Sequence, residues 1–213
     1  MPGSAWNRYW QEGDFALNPE LTVTRAQHPI TIDGKITPAE WQNAAGFTGF
    51  IDPQTWESAL PHSWGKMTYD DHNLYLALHS DNPPEAKSDP DNTVLHGFVK
   101  RDAVKPGPQV LDDDNFGVSL IPQNADGTAY SLYVNAINTI DSSRQSKDGS
   151  AEAWQSAAVV KSVLGMDGWS LEAAIPLQSL GIKSIPDGAT WQMDFSRAWK
   201  MLRQRTDVWA PGT

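Results

Sequence analysis

Two carboxylates are the residues of this sequence whose types and placement fit acid–base chemistry. Glu172, in WSLEAAIP, and Asp194, in WQMDFSRAW, fall on the non-apolar faces of two predicted strands. Facing carboxylates of this kind carry out glycoside hydrolysis. A structural ion pair between Glu172 and Arg197 explains the same pattern, and we favour it. Because the sequence has no Gly-rich phosphate loop, G-x-S-x-G or H-E-x-x-H motif, we predict a protein that is not an enzyme.

Acidic residues are also the candidates for a cation site. The sequence has DDD at 112–114 and further acids before it, and carboxylate oxygens are the ligands that calcium prefers. Asp81, Asp112 and Asp113 are the metal candidates, and a solvated acidic loop is the alternative. The five histidines have no metal-ligand spacing. The absence of cysteine excludes a disulfide scaffold and a thiolate nucleophile.

Charge and hydropathy restrict the partners and the location. The chain of 213 residues carries a formal net charge of −10, which disfavours nucleic acid and anionic membranes as partners. No apolar run reaches the roughly 18 residues that span a bilayer, and the N-terminus lacks a signal-peptide pattern. Since MPGSA resembles a start introduced by cloning, we expect an extracellular or cell-surface protein whose export signal lies outside this sequence.

The elements that would position these residues are short strands separated by turns. Strand patterns recur every 8–15 residues and only two short helices interrupt them, which predicts an all-β, antiparallel β-sandwich. Near its start, ITIDGKITPAEW combines a strand, a turn and a helix with Thr37 as N-cap and Pro38 in the first turn. We assign residues 1–28 to an N-terminal arm or linker remnant and residues 29–213 to the sandwich.

Alternation assigns the faces of the central strands. Phe116, Val118 and Leu120 share one face of a strand, and Leu132 and Val134 share the inward face of its predicted partner. On the same reasoning, Tyr133 and Asn135 face outward, and Trp169 and Trp191 belong to the core.

Seven segments, taken together and in order, resemble the family 9 carbohydrate-binding modules and the wider DOMON-like β-sandwich group. They are ITIDGKITPAEWQNA, YDDHNLYLAL, DDDNFGVSLIP, YSLYVNA, DGWSLEAAIPLQSLG, WQMDFSRAW and VWAP, and they cover roughly residues 29–211. The resemblance implies that Trp41 packs as a plug under one end of the sandwich. It also implies sugar binding without chemistry, a structural calcium, and a parent protein that degrades polysaccharides or binds surface glycans.

The resemblance also implies a site in which a sugar lies between two tryptophans. Trp209, in VWAP, matches one of them, but Leu111 stands where the other is expected. Gly117 stands at the position of the family's glutamate, and Tyr133 lies near that of its arginine.

Replacements must therefore complete the site. Asn135 and Asp114 match the family pattern, Tyr133 is our first choice for the second aromatic wall, and Arg101 is the candidate for a hydroxyl contact. Trp56, Trp64 and Trp154 are the other candidates for the wall. The predicted ligand-binding residues are Trp209, Tyr133, Asn135, Arg101, Asp114, Trp154 and Trp64, with the first four on one surface.

Two other functions compete with sugar binding. Similar sandwiches hold haem b through pairs of Met, His or Lys ligands, and the residues that keep this open are Met67, Met193, Met201, His79 and Lys200. A structural or protein-docking module whose tryptophans are all core is the third hypothesis.

Overall fold

The computed structural model describes residues 19–82, 99–123, 126–165, 168–201 and 204–209. Eleven strands form two antiparallel sheets, which confirms the predicted β-sandwich. In chain order the strands are β1 (Ala45–Thr48), β2 (Ser63–Tyr69), β3 (Asn73–Asp81), β4 (Asn115–Ile121), β5 (Ala129–Asn135), β6 (Ile140–Gln145), β7 (Ala151–Ala153), β8 (Val159–Leu164), β9 (Gly168–Pro176), β10 (Gln192–Trp199) and β11 (Arg205–Val208).

The strands divide into a five-stranded and a six-stranded sheet. The five-stranded sheet has the order β1-β2-β3-β9-β8, and the six-stranded sheet has the order β11-β10-β4-β5-β6-β7. The described residues contain three short helices: α1 (Pro38–Trp41), which precedes β1, and two 3₁₀ helices, η1 (Pro108–Asp112) before β4 and η2 (Leu177–Leu180) after β9. Among the described residues no helix is long and apolar enough to cross a membrane.

The core lies between the sheets and follows the predicted alternation. Phe116, Val118 and Leu120 of β4 and the inward residues of β5 are all buried, and Leu74, Leu76 and Leu78 of β3 face them. Trp169 is also buried, whereas Trp191 is partly buried at the margin of the core. Because strand residues alternate between faces, this burial fixes Tyr133 on the outside of the six-stranded sheet.

Residues 19–28 lie against the sandwich. Leu21 and Val23 pack on the core, and Arg25 forms a parallel bridge with Tyr69 at the end of β2. Residues 1–18, the rest of the predicted arm, are outside the described residues.

Residues 30–44 cover the outside of the five-stranded sheet as a turn and the helix α1. The strand predicted for ITID is wrong, because residues 30–33 pair with no other strand among the described residues. Trp41 of α1 is fully buried, as predicted, but against Tyr75, Ala77 and Ala174 on the outside of this sheet and not under one end of the sandwich. The first turn differs in detail, because the Thr37 hydroxyl donates to the Glu40 carboxylate at 2.8 Å and does not accept the expected capping hydrogen bond from a backbone N–H.

Glu172 holds this unit in place. Its carboxylate accepts hydrogen bonds from Trp41 Nε1 at 2.8 Å, Asp33 N at 2.9 Å and Gly34 N at 2.8 Å. Gly34 has φ +84°, and a Cβ there would lie 2.5 Å from Val163, so only glycine suits this approach. Burial raises the pKa of Glu172. The predicted Glu172–Arg197 ion pair is wrong, because Glu172 faces outward while Arg197 points between the sheets.

The Glu172 contacts make a stability prediction. Glu172→Ala leaves three donors without their acceptor, so we expect a loss of roughly 3 kcal/mol in the free energy of unfolding. The measurement is urea denaturation followed by tryptophan fluorescence. Glu152→Ala, which removes an exposed partner of Arg144, is the control and is expected to cost under about 1 kcal/mol. Equal losses in both variants would contradict this role for Glu172.

Candidate binding face

The outside of the six-stranded sheet, called the outer face below, carries two rows of directly paired residues. The first row crosses four strands through Ser196, Gly117, Tyr133 and Asp141. The second row, two residues further along each strand, runs through Asp194, Ser119, Ser131 and Ser143. Paired residues in an antiparallel sheet share a face, so these side chains form one surface.

Tyr133 lies across Gly117 at the centre of the first row. A Cβ on Gly117 would lie 2.6 Å from both Cδ1 and Cε1 of Tyr133 and 2.4 Å from the Ser196 hydroxyl. Only the absence of a side chain at Gly117 lets the ring extend over β4 toward β10. Tyr133 remains partly exposed, so this arrangement offers an aromatic surface to solvent.

Hydroxyl and carboxyl groups surround the Tyr133 ring. Ser119 and Ser131 lie 3.1 Å apart between their hydroxyl oxygens, and both are partly exposed. Asp141 stands next to Tyr133 on β6, and burial raises its pKa. Asp194 lies on the far side, on β10. An aromatic surface bordered by donors and acceptors suits a ligand with apolar C–H groups and many hydroxyls.

A loop before β4 covers one end of the outer face. Asp113 accepts hydrogen bonds from Asp102 N and Ala103 N, both at 2.9 Å. Asn135 donates from Nδ2 to Ala103 O and to Asp113 Oδ2, and its Oδ1 accepts from Ile137 N and Thr139 N. Asn135 is fully buried and its side-chain hydrogen-bonding groups are all engaged. It therefore has no group left for a ligand and instead anchors the loop.

Asp114 belongs to a second buried network. It accepts hydrogen bonds from Lys100 N at 2.8 Å and from Lys200 N, and it is fully buried. Arg197 is close enough that the charge of Asp114 opposes the lowering of its pKa to about 10, which burial causes. The Arg197 guanidinium lies over the rings of Trp199 at 3.7 Å and Trp169 at 4.3 Å. Asp114 thus stabilises the fold beneath the loop and offers no surface to a ligand.

Trp209 and Tyr133 do not line one cleft, so this part of the prediction is wrong. Trp209 packs against Phe47 and Phe195, with ring centroids 5.3 Å and 5.6 Å apart, on the inner side of the six-stranded sheet. Tyr133 lies on the opposite side. The physical reason is the alternation along β10: Phe195 points inward, and Trp209 N donates to Phe195 O, which holds Trp209 on that side.

Trp209 borders an open cavity of about 630 Å³ at one end of the sandwich. Its walls combine apolar side chains, among them Leu21, Met67, Trp191, Met193, Phe195 and Trp209, with polar ones such as Glu20, Thr190 and Gln192. Met67 and Met193 are two of the residues that keep a haem site open, but no histidine or lysine lines this cavity. His79 lies on the outside of the five-stranded sheet. No Met–His or Met–Lys pair of described residues therefore meets here, and we do not propose haem binding.

The remaining predicted site residues are dispersed. Trp154 is buried in the core, where its ring packs on Tyr130 and its Nε1 donates to Ser179 O at 2.8 Å. Trp64 stacks on His79, 5.1 Å between ring centroids, on the outside of the other sheet. Arg101 is partly exposed in the loop that covers Asn135, and it has an interaction of its own. Of the seven predicted ligand-binding residues, Arg101 and Tyr133 are therefore the two that lie in the region of the outer face with part of the side chain accessible.

The metal candidates do not form a common site. Among the described residues no group of three acidic or histidine side chains is placed to hold a metal ion. Asp113 uses both carboxylate oxygens on the loop, Asp112 is exposed, and Asp81 Oδ1 lies 3.5 Å from His79 Nε2. Calcium binding stays a prediction without support from this geometry.

Sequence reasoning missed Asp141 and the serine rows. Residues 138–150 have the polar composition of a loop, but Ile140–Gln145 forms β6 and Ala151–Ala153 forms β7. A signal was present, since the YSLYVNA strand ends at Asn135 and tight turns commonly return the chain into an adjacent strand. The polar composition of IDSSRQ hid the strand because both of its faces are partly exposed.

Comparisons with known proteins agree with this architecture. The sequence matches no protein-family model, and no curated protein matches it either. A solved structure from Bacteroides uniformis ATCC 8492, described as a candidate carbohydrate-binding protein, superposes with a TM-score of 0.67 at 13% identity, over 88% of this chain and 87% of that one.

Two solved structures of a family 9 carbohydrate-binding module from Caldicellulosiruptor kristjanssonii are also similar. The complex with cellotriose has a TM-score of 0.55 at 16% identity, over 88% of this chain and 83% of that one. The complex with glucose has a TM-score of 0.54 at 18% identity, over 88% and 84%. The chain therefore has the β-sandwich fold of family 9 carbohydrate-binding modules.

Buried Asp207 of β11 lies opposite Arg197 in the register of β10 and β11, so it belongs to the Asp114–Arg197 network and gives a pH prediction for it. Burial raises its pKa to about 6, against an ordinary 3.8. The folded state then binds the proton more tightly than the unfolded state, so stability falls as pH rises from about 4 to about 6 and levels off above. The full shift corresponds to roughly 3 kcal/mol.

The measurement compares urea denaturation of the wild type and Asp207→Asn across this pH range. We expect the variant to lose that part of the slope. Asp187→Asn, an exposed aspartate outside the network, should keep the slope of the wild type. A slope unchanged in Asp207→Asn would show that Asp207 titrates normally in the folded protein.

Proposed function

We propose that the protein is a non-catalytic carbohydrate-binding module whose outer face binds a saccharide. The observation that carries the proposal is the Tyr133 ring lying across Gly117, bordered by serine hydroxyls and by Asp141. One face of a pyranose ring is a sheet of C–H groups, which stacks on an aromatic plane, while its hydroxyls need hydrogen-bond partners at the rim. The outer face supplies both kinds of contact on one rigid sheet.

The fold supports this proposal. The chain shares its architecture with modules whose solved structures contain cellotriose and glucose. Similarity in fold does not assign binding residues, so the proposed site is defined by the Tyr133 surface of this chain itself. Ser119, Ser131 and Ser143 add both donors and acceptors along the second row.

The open surface of the site sets an affinity range. A saccharide on one tyrosine and a few hydroxyls makes few contacts, so we expect dissociation constants on the order of 10–1000 μM. Such a module functions when attached to a larger protein, and we propose an extracellular polysaccharide-degrading enzyme or a surface glycan-binding protein as that parent. Attachment would raise the effective concentration of the module at its polymer.

The experiment is a glycan array followed by calorimetry with the best soluble oligosaccharide. Tyr133→Ala should weaken binding at least tenfold, because stacking on an aromatic ring contributes about 1.4 kcal/mol or more in a site of this kind. Trp209→Ala is the matched aromatic control on the other side of the sheet and should change affinity less than about threefold, although it lowers the melting temperature.

If Trp209→Ala weakens binding at least tenfold and Tyr133→Ala changes it less than about threefold, the sugar lies in the cavity beside Trp209. That result would contradict the proposal. Binding of no glycan at all would favour a structural or docking module. Circular dichroism of both variants checks that each has kept its fold.

A further inference from the structure

Asp141 is a carboxylate that the fold leaves without a partner next to the Tyr133 ring. It stands directly opposite Tyr133 in the register of β5 and β6 and is partly buried. Among the described residues nothing donates a hydrogen bond to it or forms an ion pair with it. A carboxylate that is partly desolvated and receives no donor from the protein gains hydrogen bonds when a ligand supplies donors. Of the groups on the outer face, it therefore gains most from a cationic ligand.

The strand positions of the outer face carry charges of one sign, whereas the loop that covers one end of the face adds the cation Arg101. The strand positions carry Asp141 on one side of Tyr133 and Asp194 on the other, about 16 Å apart across three strand spacings and two residues along the strand. The other positions on this face are uncharged: Asn115, Gly117, Ser119, Ile121, Ala129, Ser131, Tyr133, Asn135, Ser143, Gln145, Gln192, Ser196, Ala198, Thr206 and Val208. The whole chain, with these residues included, has a formal net charge of −10. This field attracts cations and repels anions.

We infer that the saccharide of the outer face is a cationic amino sugar, a glucosamine-type unit whose ammonium group pairs with Asp141 while its ring stacks on Tyr133. The inference rests on the proposed function and adds the class of sugar. An ammonium group offers three donors and a full charge, whereas the hydroxyl that it replaces offers one donor and none. The Tyr133 ring reinforces the choice, because an aromatic face attracts a neighbouring cation.

The same charges predict which glycans are rejected. A uronic acid or a sulfated sugar would bring an anion against Asp141 and Asp194. Like charges brought together at a partly desolvated site oppose binding and so act as a filter. We therefore expect the order amino sugar, neutral sugar, acidic sugar, from tightest to weakest.

The experiment compares oligosaccharides that differ only in the C2 substituent of each sugar unit. A β-1,4-linked glucosamine tetramer and cellotetraose have the same length and linkage and differ in an ammonium or a hydroxyl group at C2. Calorimetry with the whole chain, at a mildly acidic pH that keeps the amine protonated, measures both. A uronic-acid oligosaccharide of equal length is the third ligand.

The wild type is expected to bind the glucosamine tetramer at least tenfold more tightly than cellotetraose. Asp141→Asn should reduce that preference, measured as the ratio of the two affinities in the same variant, below about threefold. Asp187→Asn removes the same charge from an exposed loop outside the outer face and should keep the preference. Repeating the comparison at higher salt separates the local pair from long-range attraction, because the partly buried pair is screened less.

Three results would overturn the inference. In the first, the wild type binds both tetramers equally while Tyr133→Ala weakens both; the proposed function then stands and only the class of sugar fails. In the second, Asp141→Asn keeps the full preference, or Asp187→Asn loses as much of it, which assigns the preference to net charge. In the third, neither tetramer nor any glycan binds, and the proposed function fails with the inference.

Discussion

The close approach of Tyr133 to Gly117 is the interaction on which this account depends. Gly117 occupies the centre of the six-stranded sheet, where any side chain would collide with the Tyr133 ring or the Ser196 hydroxyl. Because Gly117 has no side chain, the large aromatic side chain of Tyr133 can lie over the neighbouring strand. The register of β4, β5 and β6 then places Asp141 and the serines around that ring. One glycine thus converts the outside of a sheet into an aromatic surface with polar margins.

The two outer surfaces of the sandwich are used differently. The outside of the five-stranded sheet is covered by residues 30–44, with Trp41 buried on Tyr75 and Ala77 and fixed through Glu172. The outside of the six-stranded sheet is covered at one end, where Asp113 and Asn135 hold the loop before β4. The rest of that sheet keeps partly exposed side chains. Buried carboxylates fix the covering segments on both surfaces. The open part lies on the outside of the six-stranded sheet, beside the end that the loop covers.

Alternation predicted the sandwich, the core strands and the outward direction of Tyr133, because a period of two along a half-buried strand is encoded in local sequence. It did not predict the site. Asn135 matched the pattern of a binding residue, yet its four hydrogen bonds go to loop atoms up to 32 residues away in sequence. Trp209 follows the last strand, where alternation no longer assigns a side. Asp141 was missed because a strand exposed on both faces has no apolar period.

Intermolecular NOEs in an oligosaccharide complex show directly whether the sugar contacts the Tyr133 ring. With the glucosamine tetramer or cellotetraose bound, the account predicts NOEs from pyranose C–H protons to the ring protons of Tyr133, assigned by their loss in Tyr133→Ala. NOEs to the indole protons of Trp209 or Trp191, with none to Tyr133, would place the sugar in the cavity between the sheets and contradict the account.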